Sequence, residues 1–506
     1  MNIALIQAAF AADDINGNTR IIAEAYEKAA AAGAEVVAAP LQAVCGFKPG
    51  RRLQSPAYVK AYCEAAEALI AATGSTLLVF DIPLALRDGG YAPLFIAARN
   101  GQAERAAGRL AFQLPDGRKA LVCAADEAHV HTEADNLRPD LLLLADCHAL
   151  VIDKEAERDR RLLRAAAAAE TTVYVNQAGE RDYHILTGGS AIFADYGQKR
   201  TGLPLFAESL PHGQNAAPQI AAPSPAGRTK PDHTDQTALI HGALACGIRG
   251  YGRRNGIKSA IVGLSGGIDS AVVLPLAVEA FGADNVFGLM MPSRFSTDHS
   301  VNDAVQLARN TGIAYEIIAI EPLYKSFLQQ LAPIFKNTPF GLAEENLQAR
   351  IRGNLLMAVS NKKGGLVLNT SNKSESACGY GTLYGDLVGG LSVIGDLYKS
   401  QVYNLARHLN RERETVPPNC IAKAPSAELR PNQKDSDSLP DYDLMERILR
   451  GHLEQNLGVA ELVAQGLPQA DVEKVLRLLR NSAYKRLQTP PVLRLTDTVL
   501  CDYQPF

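Results

Sequence analysis

Short apolar runs of strand length alternate with longer segments of helical period along most of this chain. In the first part the pattern predicts strands at 3–10, 35–39, 76–82, 94–98, 121–125, 141–145, 172–176 and 189–195, and helices at 19–32, 61–72 and 155–170. Strands interleaved with helices in this way predict an α/β layered domain. Residues 211–232 then lose all apolar period and become rich in Pro, Ala and Gly, the composition of a linker. A second βα-rich unit follows and ends in a helical pattern over 441–481. The expected organisation is therefore a domain at 1–210, a linker at 211–232 and a second domain at 233–506.

One stretch of the second unit stands out. Residues 260–276 read AIVGLSGGIDSAVVLPL: an apolar strand, a glycine turn and the start of an apolar helix. Glycines let backbone N–H groups approach an anion, and a helix N-terminus adds partial positive charge, so Gly263, Leu264, Ser265, Gly266, Gly267, Ile268, Asp269 and Ser270 are candidate phosphate-binding residues. The Walker pattern would need a Lys before the Ser/Thr, and here Asp269 holds that place. An acid in a phosphate cradle makes sense if it holds Mg²⁺. The alternative is a βα turn with capping side chains.

Composition adds exclusions. The 506 residues exceed what one core usually serves. A net charge of −3 argues against a dedicated nucleic-acid binder. Cys45, Cys63, Cys123, Cys147, Cys246, Cys378, Cys420 and Cys501 show no metal spacing and fit thiols in a reducing compartment. The longest apolar run, 141–152, is interrupted by Asp146 and His148 and is too short to span a bilayer. A cytoplasmic enzyme with no membrane or nucleic-acid partner is expected.

Three further clusters carry chemistry. In 344–353, Asn346 and Arg350 share one helical face, as do Gln348 and Arg352; they could grip phosphate or ribose, or form a solvated face with an internal ion pair. In 368–375, a strand ends in polar groups that include Thr370 and Glu375, and Glu375 is a candidate second carboxylate for the metal of Asp269. Lys399 and Ser426 follow, suited to neutralising departing phosphates.

With GLSGGIDSA, LMMPSRFSTDHS, EENLQARIRGNLLMAVSN, NTSNKSE, GYGTLYGD, PSAELRP and YKRLQ in hand, the second half resembles the synthetase domain of NAD⁺ synthetases. These belong to the PP-loop ATP pyrophosphatases, with a doubly wound parallel sheet of the adenine nucleotide α-hydrolase-like type. The phosphate loop alone would also fit GMP, asparagine or argininosuccinate synthetases and tRNA-modifying enzymes. The resemblance implies adenylation of deamido-NAD⁺ by ATP, then displacement of AMP by ammonia. It implies that Gly263 to Ser270 and Thr370 bind ATP, that Asp269 and Glu375 hold Mg²⁺, that Asn346, Glu375 and Lys485 meet deamido-NAD⁺, and that Lys399 and Ser426 contact the ATP phosphates. One departure is Gly395-Asp396-Leu397-Tyr398-Lys399, where many relatives carry Lys-Asp.

The first half resembles the nitrilase-type glutaminase domain of glutamine-dependent members, an αββα sandwich, through Pro40, Gly46-Phe47, Leu114-Pro115, Leu121-Val122-Cys123 and the 173–177 and 188–190 stretches. Such amidases use a Glu–Lys–Cys triad. Here the Glu position is Leu41 and the Lys position is Ala111, so only Cys123 remains, followed by Ala124-Ala125. Glu127, Arg109 and Lys119 lie nearby but at the wrong spacing. A thiol without its base or oxyanion cation is a weak nucleophile. The expectation is a pseudo-glutaminase in which Cys123 is a core residue, an ammonia-using synthetase, and homo-oligomerisation through the nitrilase-like domain. The alternatives are a glutamine-dependent enzyme with a rebuilt amidase site, and a non-catalytic nucleotide-binding scaffold.

Overall fold

The clearest strand prediction, Leu-Leu-Leu-Leu-Ala at 141–145, forms β8 (Leu141–Ala145) and shows how the first unit is layered. Leu141 and Leu143 point into one hydrophobic cluster, whereas Leu142 and Leu144 point into another. A strand buried on both faces needs this uninterrupted apolar run. In the computed structural model, which describes residues 1–86, 90–126, 138–210, 235–336, 338–431, 433–437 and 439–503, the chain divides into two units, Met1–Asp235 and Gln236–Phe506. The predicted linker at 211–232 lies outside the described residues.

The first unit contains a five-stranded sheet in the order β1 (Ile3–Leu5), β2 (Val36–Ala38), β3 (Leu77–Ala85), β4 (Tyr91–Arg99), β5 (Gln102–Ala107). A six-stranded sheet runs β13 (Lys199–Gly202), β12 (Ala191–Ala194), β9 (Thr171–Val175), β8, β7 (Lys119–Ala124), β6 (Arg109–Gln113). A hairpin of β10 (Ala178–Arg181) and β11 (His184–Thr187) stands apart. Helices Ile15–Ala31 and Pro56–Ala71 cover the first sheet through Ile22, Ala25, Tyr62, Leu69, Leu78 and Phe80. The two sheets meet through Leu5, Val79, Phe95, Val122, Leu143 and Val173. Helix Glu155–Ala166 closes the other side over Leu121, Cys123, Leu144 and Tyr174. The layers are thus helix, sheet, sheet, helix.

Boundaries moved where caps or ladders decided them. The expected strand 3–10 pairs only over Ile3–Leu5, because its parallel partner ends at Ala38. Gln7 then makes an isolated bridge to Ser209. The helix expected at 19–32 starts at Ile15, where the Asp14 carboxylate accepts from Gly17 N–H. The helix expected at 61–72 starts at Pro56, behind a Ser55 cap. The helix expected at 155–170 stops at Ala166. β5, β6, β10, β11 and β13 were not anticipated; β5 reads Gln-Ala-Glu-Arg-Ala-Ala and has no buried residue, so it carries no apolar alternation.

The second unit has a five-stranded parallel sheet in the order β16 (Ala314–Ile317), β15 (Val286–Met290), β14 (Ala260–Gly263), β17 (Leu366–Asn369), β18 (Leu391–Ser392). The chain starts in the middle, winds to one edge, then returns to wind to the other, as in doubly wound folds. Helices Tyr442–Gln455 and Gln469–Asn481 form a separate cluster through Met445, Ile448, Leu449, Val472 and Leu479. Among the described residues no helix is long and apolar enough to cross a membrane.

A buried ion pair ties the C-terminal segment to this sheet. Lys373 Nζ donates to Asp396 Oδ1 at 2.9 Å, to Thr498 O at 2.7 Å and to Thr496 Oγ1 at 3.1 Å. Asp396 Oδ2 accepts from Leu495 and Thr496 N–H, both at 2.8 Å. Neither side chain is exposed (0% for each). Removing one partner leaves the other charge buried and uncompensated, so Lys373→Met should destabilise the second unit by about 3–5 kcal/mol. Because the chain has no Trp, denaturant unfolding followed by far-UV circular dichroism is the suitable measurement; an unchanged midpoint would contradict the assignment.

Candidate active site

The order β16-β15-β14-β17-β18 reverses direction between β14 and β17. Loops leaving the carboxyl ends of these two strands diverge there and leave a crevice. β14 feeds the glycine loop and helix Ile268–Phe281; β17 feeds Thr370–Asn372 and helix Lys373–Cys378. The crevice opens into a cavity of about 300 Å³.

The glycine loop is held tightly. Gly266 has φ +74°, and a Cβ built on it would lie 2.1 Å from Ser300 O. Only glycine satisfies both demands. Ser265 Oγ accepts from Gly267 N–H at 3.2 Å and sits 3.3 Å from Ser270 Oγ. Asp269 stands in the first turn of the following helix. Asn372 joins the two loops: its Nδ2 donates to Asp269 Oδ1 at 2.9 Å, and its Oδ1 caps helix Lys373–Cys378 by accepting from Glu375 N–H at 3.0 Å.

Lys399 lies between the two acids. Its Nζ donates to Asp269 Oδ2 at 2.6 Å and to Glu375 Oε1 at 2.9 Å. Burial alone would lower the Lys399 pKa, but Asp269 and Glu375 more than offset it and hold the ammonium charged. For Glu375, burial and the neighbouring Asp269 outweigh Lys399 and push its carboxyl up to about 7. Tyr442 OH approaches Glu375 Oε1 at 3.5 Å and donates to Asp435 Oδ2 at 2.9 Å.

Of the residues singled out in the sequence, Gly263, Leu264, Ser265, Gly267, Ile268, Asp269, Ser270, Thr370, Glu375, Lys399 and Ser426 all line this cavity. Gly266, Asn346 and Lys485 are not among its lining residues. Asn346 Oδ1 accepts from Thr382 Oγ1 at 2.7 Å, and Lys485 Nζ donates to Gly379 O and Gly381 O at 2.7 Å each. Ser426 Oγ donates to Gln433 O at 2.6 Å. The polar face of helix Leu342–Lys363 is not the internally paired surface weighed above. Gln348, Arg350 and Arg352 donate to Leu429 O, Leu383 O and Met291 O, so the helix is a spine that fixes three loops.

Sequence reasoning missed Asn372, Tyr442 and Lys423, whereas Arg352, weighed there as a phosphate or ribose contact, does line the cavity. Arg352 is buried enough that its guanidinium falls to about 10. Lys423 lines the cavity with Nζ 3.0 Å from Ser300 Oγ. Asn372 lay inside the NTSNKSE stretch, but only the fold reveals that its amide spans two strands' loops.

The donor set suits a small hard cation. Two carboxylates, from the first turns of the helices that follow β14 and β17, reach the same cavity and are both mostly shielded from solvent, as suits Mg²⁺ shared with phosphates.

The first unit has its own cavity, of about 360 Å³, lined in part by Leu41, Asp81, Asp146, Cys147, Arg158 and Arg161. The three positions matched to the amidase triad do not share it. Leu41 lines the cavity, Ala111 is exposed on β6, and Cys123, fully buried, packs between β7 and helix Glu155–Ala166. Glu127 lies outside the described residues. The thiol that does line the cavity is Cys147, raised by burial and by Asp146 and Asp81. Behind it, His148 Nε2 meets Glu155 Oε1 at 2.6 Å, Arg158 Nη1 donates to Glu155 Oε2 at 2.8 Å, and Tyr174 OH donates to Asp146 Oδ2 at 2.9 Å. Asp81 is buried on β3, its Oδ1 accepting from Gln42 N–H at 2.8 Å, and burial pushes its carboxyl up to about 7.

The profile of the NAD synthase family matches residues 240–489. A glutamine-dependent NAD(+) synthetase from Synechocystis is 45% identical over 64% of this chain and 58% of its own length. The protein of that name from Xylella fastidiosa is 32% identical over 97% of this chain and 95% of its own length. Among solved structures, the glutamine-dependent NAD+ synthetase from Acinetobacter baumannii in complex with ADP superposes with a TM-score of 0.74 at 31% identity, covering 100% of this chain and 98% of that one. The chain thus spans just over half the length of the Synechocystis relative and nearly all of the Xylella one.

The Asp81 environment makes a pH prediction. Its folded pKa, about 7, exceeds the ordinary 3.8, so the native state binds the proton more tightly than the unfolded chain. The stability this contributes is complete below pH 4 and is lost as pH rises to 7. Relative to Asp81→Asn, the protein should lose about 4 kcal/mol between pH 4 and pH 8. Denaturant midpoints of the two proteins across that range measure it; a gap that does not widen with pH would refute it.

Proposed function

Because the chain belongs to the two-domain glutamine-dependent NAD⁺ synthetase family, we propose that it amidates deamido-NAD⁺ to NAD⁺ at the expense of ATP, and that it takes its nitrogen as free ammonia. The observation that carries the reaction is the meeting of Asp269, Glu375 and Lys399 at the switch point of the second unit's sheet.

The chemistry follows from charge. A carboxylate is a poor electrophile, so the nicotinate carboxylate oxygen bonds to the α-phosphorus of ATP and the α–β bridging bond breaks, with pyrophosphate taking the electron pair. Ammonia then attacks the acyl carbon, loses a proton, and AMP departs with its oxygen. The backbone N–H groups of the glycine loop and the start of helix Ile268–Phe281 cradle the polyphosphate. Thr370, just after β17, lines the cavity and would bind the nucleotide, and Ser426 lines the same cavity. Asp269 and Glu375 would hold Mg²⁺, which supplies charge neutralisation on the phosphate oxygens. Lys399 holds the two acids adjacent by donating to both, and Asn372 donates to one and caps the helix that carries the other. No protein nucleophile is needed; positioning and preorganised charge provide the acceleration. Asn346 and Lys485 act through the loops they hold, on the deamido-NAD⁺ side.

The ammonia reading is supported by the first unit. It keeps the nitrilase-like αββα layering. Yet Leu41 and Ala111 stand where base and cation are expected, and Cys123 is turned into the layer under helix Glu155–Ala166. The second reading, glutamine dependence through a rebuilt site, draws on the relatives' names and on Cys147 and Asp81 lining one cavity. A scaffold role is disfavoured by the intact Asp269, Glu375 and Thr370.

ATP-dependent NAD⁺ formation with ammonium against ammonia-free glutamine separates these readings. Turnover on ammonium alone is expected; robust turnover on glutamine, abolished by Cys123→Ala or Cys147→Ala, would overturn the ammonia reading. For the phosphate loop, Gly266→Ala must displace the Ser300 backbone. It should weaken ATP at least tenfold by calorimetry, about 1.4 kcal/mol or more; unchanged affinity would contradict the cradle.

A further inference from the structure

The cavity of the first unit is more than an empty remnant of an amidase. Its walls are sorted by charge. Carboxylates come from the strands and the segments that follow them: Asp81 in the middle of β3, Asp126 after β7 and Asp146 after β8. Guanidinium groups come from the facing helix Glu155–Ala166, as Arg158 and Arg161.

Part of this charge is already satisfied. Asp146 accepts from Tyr174 OH and Cys147 N–H, while Arg158 and His148 are tied to Glu155. Three features are not closed off in this way. Arg161 lines the cavity with no hydrogen bond or ion pair to another described residue. Arg158 is 7% exposed, and its buried Nε has no partner. Asp81 is 3% exposed, and its side chain accepts from a single backbone N–H belonging to another residue, Gln42. A ligand with a negative group at the helix side and a positive group at the strand side completes the set.

The rest of the lining includes Gln42, Tyr91, Cys147 and His148, but its larger part is apolar: Leu41, Pro83, Pro93, Leu162 and the Ala124-Ala125 pair. A polar amide placed against Leu41 and Leu162 would lose its water without gaining a partner. An aliphatic side chain gains there instead. A volume of about 360 Å³ is at the small end of ligand sites.

We propose that this cavity is a binding site for a free aliphatic α-amino acid, with the α-carboxylate on Arg161, the α-ammonium on Asp81 and Asp126, and the side chain against Leu41 and Leu162. The ligand is bound and released unchanged, and the proposal rests on the reading that the first unit does not hydrolyse glutamine.

Calorimetric titration of the full chain tests it, with L-leucine, L-glutamine, 4-methylpentanoic acid (leucine without its ammonium) and 3-methylbutylamine (leucine without its carboxylate). Saturable binding of L-leucine at one site per chain is expected. Each truncated analogue, and L-glutamine, should bind at least tenfold more weakly. Arg161→Ala, an exposed substitution that leaves the fold's contacts in place, should weaken L-leucine at least tenfold while leaving ammonium-dependent NAD⁺ formation unchanged. No saturable leucine binding, glutamine binding as tight as leucine, or leucine binding indifferent to Arg161→Ala would each overturn the proposal. Ammonia released from glutamine would instead overturn the reading on which it rests, and a separate ammonia assay distinguishes that result.

Discussion

A single buried ammonium keeps two carboxylates together at the crevice of the second unit, and the surrounding structure follows from that requirement. Asp269 and Glu375 could not share a low-dielectric cavity as neighbouring anions without a counter-charge. Lys399 supplies it over separations of 130 and 24 residues. Those separations are why the doubly wound sheet matters: it brings the ends of β14 and β17 side by side and delivers the start of helix Lys399–Leu409 to the same place. Asn372 then removes the remaining freedom, using one amide to touch Asp269 and to cap the helix that carries Glu375.

The same logic of offsetting charge recurs away from the chemistry. Lys373, next to Asn372 in the chain, turns into the interior and meets Asp396. Two lysines at the starts of two helices thus hold two different acid clusters, one facing the cavity and one sealed. The sealed pair binds residues 495–498, so the C-terminal segment is tied to the first residue of the helix that carries Glu375. Preorganisation of this kind would serve the proposed adenylation, in which no protein nucleophile takes part.

How much of this was legible before the fold was seen depended on the range of the interactions. The glycine loop could be read because strand, turn and helix are contiguous there and each residue's role is local. The five-residue run of β8 was legible in full, since burial on both faces leaves no alternation to misread. Lys399 was recognised as a cation near phosphates, but its bonds to both acids depend on strand order, which no local pattern encodes. Asn372 was hidden for the same reason. In helix Leu342–Lys363 the local rule pointed the wrong way: spacing suggested internal pairing, whereas Arg350 and Arg352 satisfy carbonyls of distant loops. Strands such as β5 were invisible because an exposed sheet edge needs no apolar side chains.

The first unit shows how a layered fold can be held independently of the rim of its cavity. Its layers are held by alternate residues of β3, β7, β8 and β9, and none of these depends on the side chains at 41 and 111. Asp81 indicates what a carboxylate experiences at this rim: buried without a lysine among the cavity-lining residues, its carboxyl is driven up to about 7. An acid at position 41 would face similar desolvation and would need a cation nearby to stay ionised. Arg158 and Arg161 line the same cavity, whereas Leu41 also packs against the apolar cluster between the sheets. The rim thus sets an apolar residue at 41 beside the carboxylates of Asp81, Asp126 and Asp146 and the guanidinium groups of Arg158 and Arg161, and a ligand held there has to match that mixture.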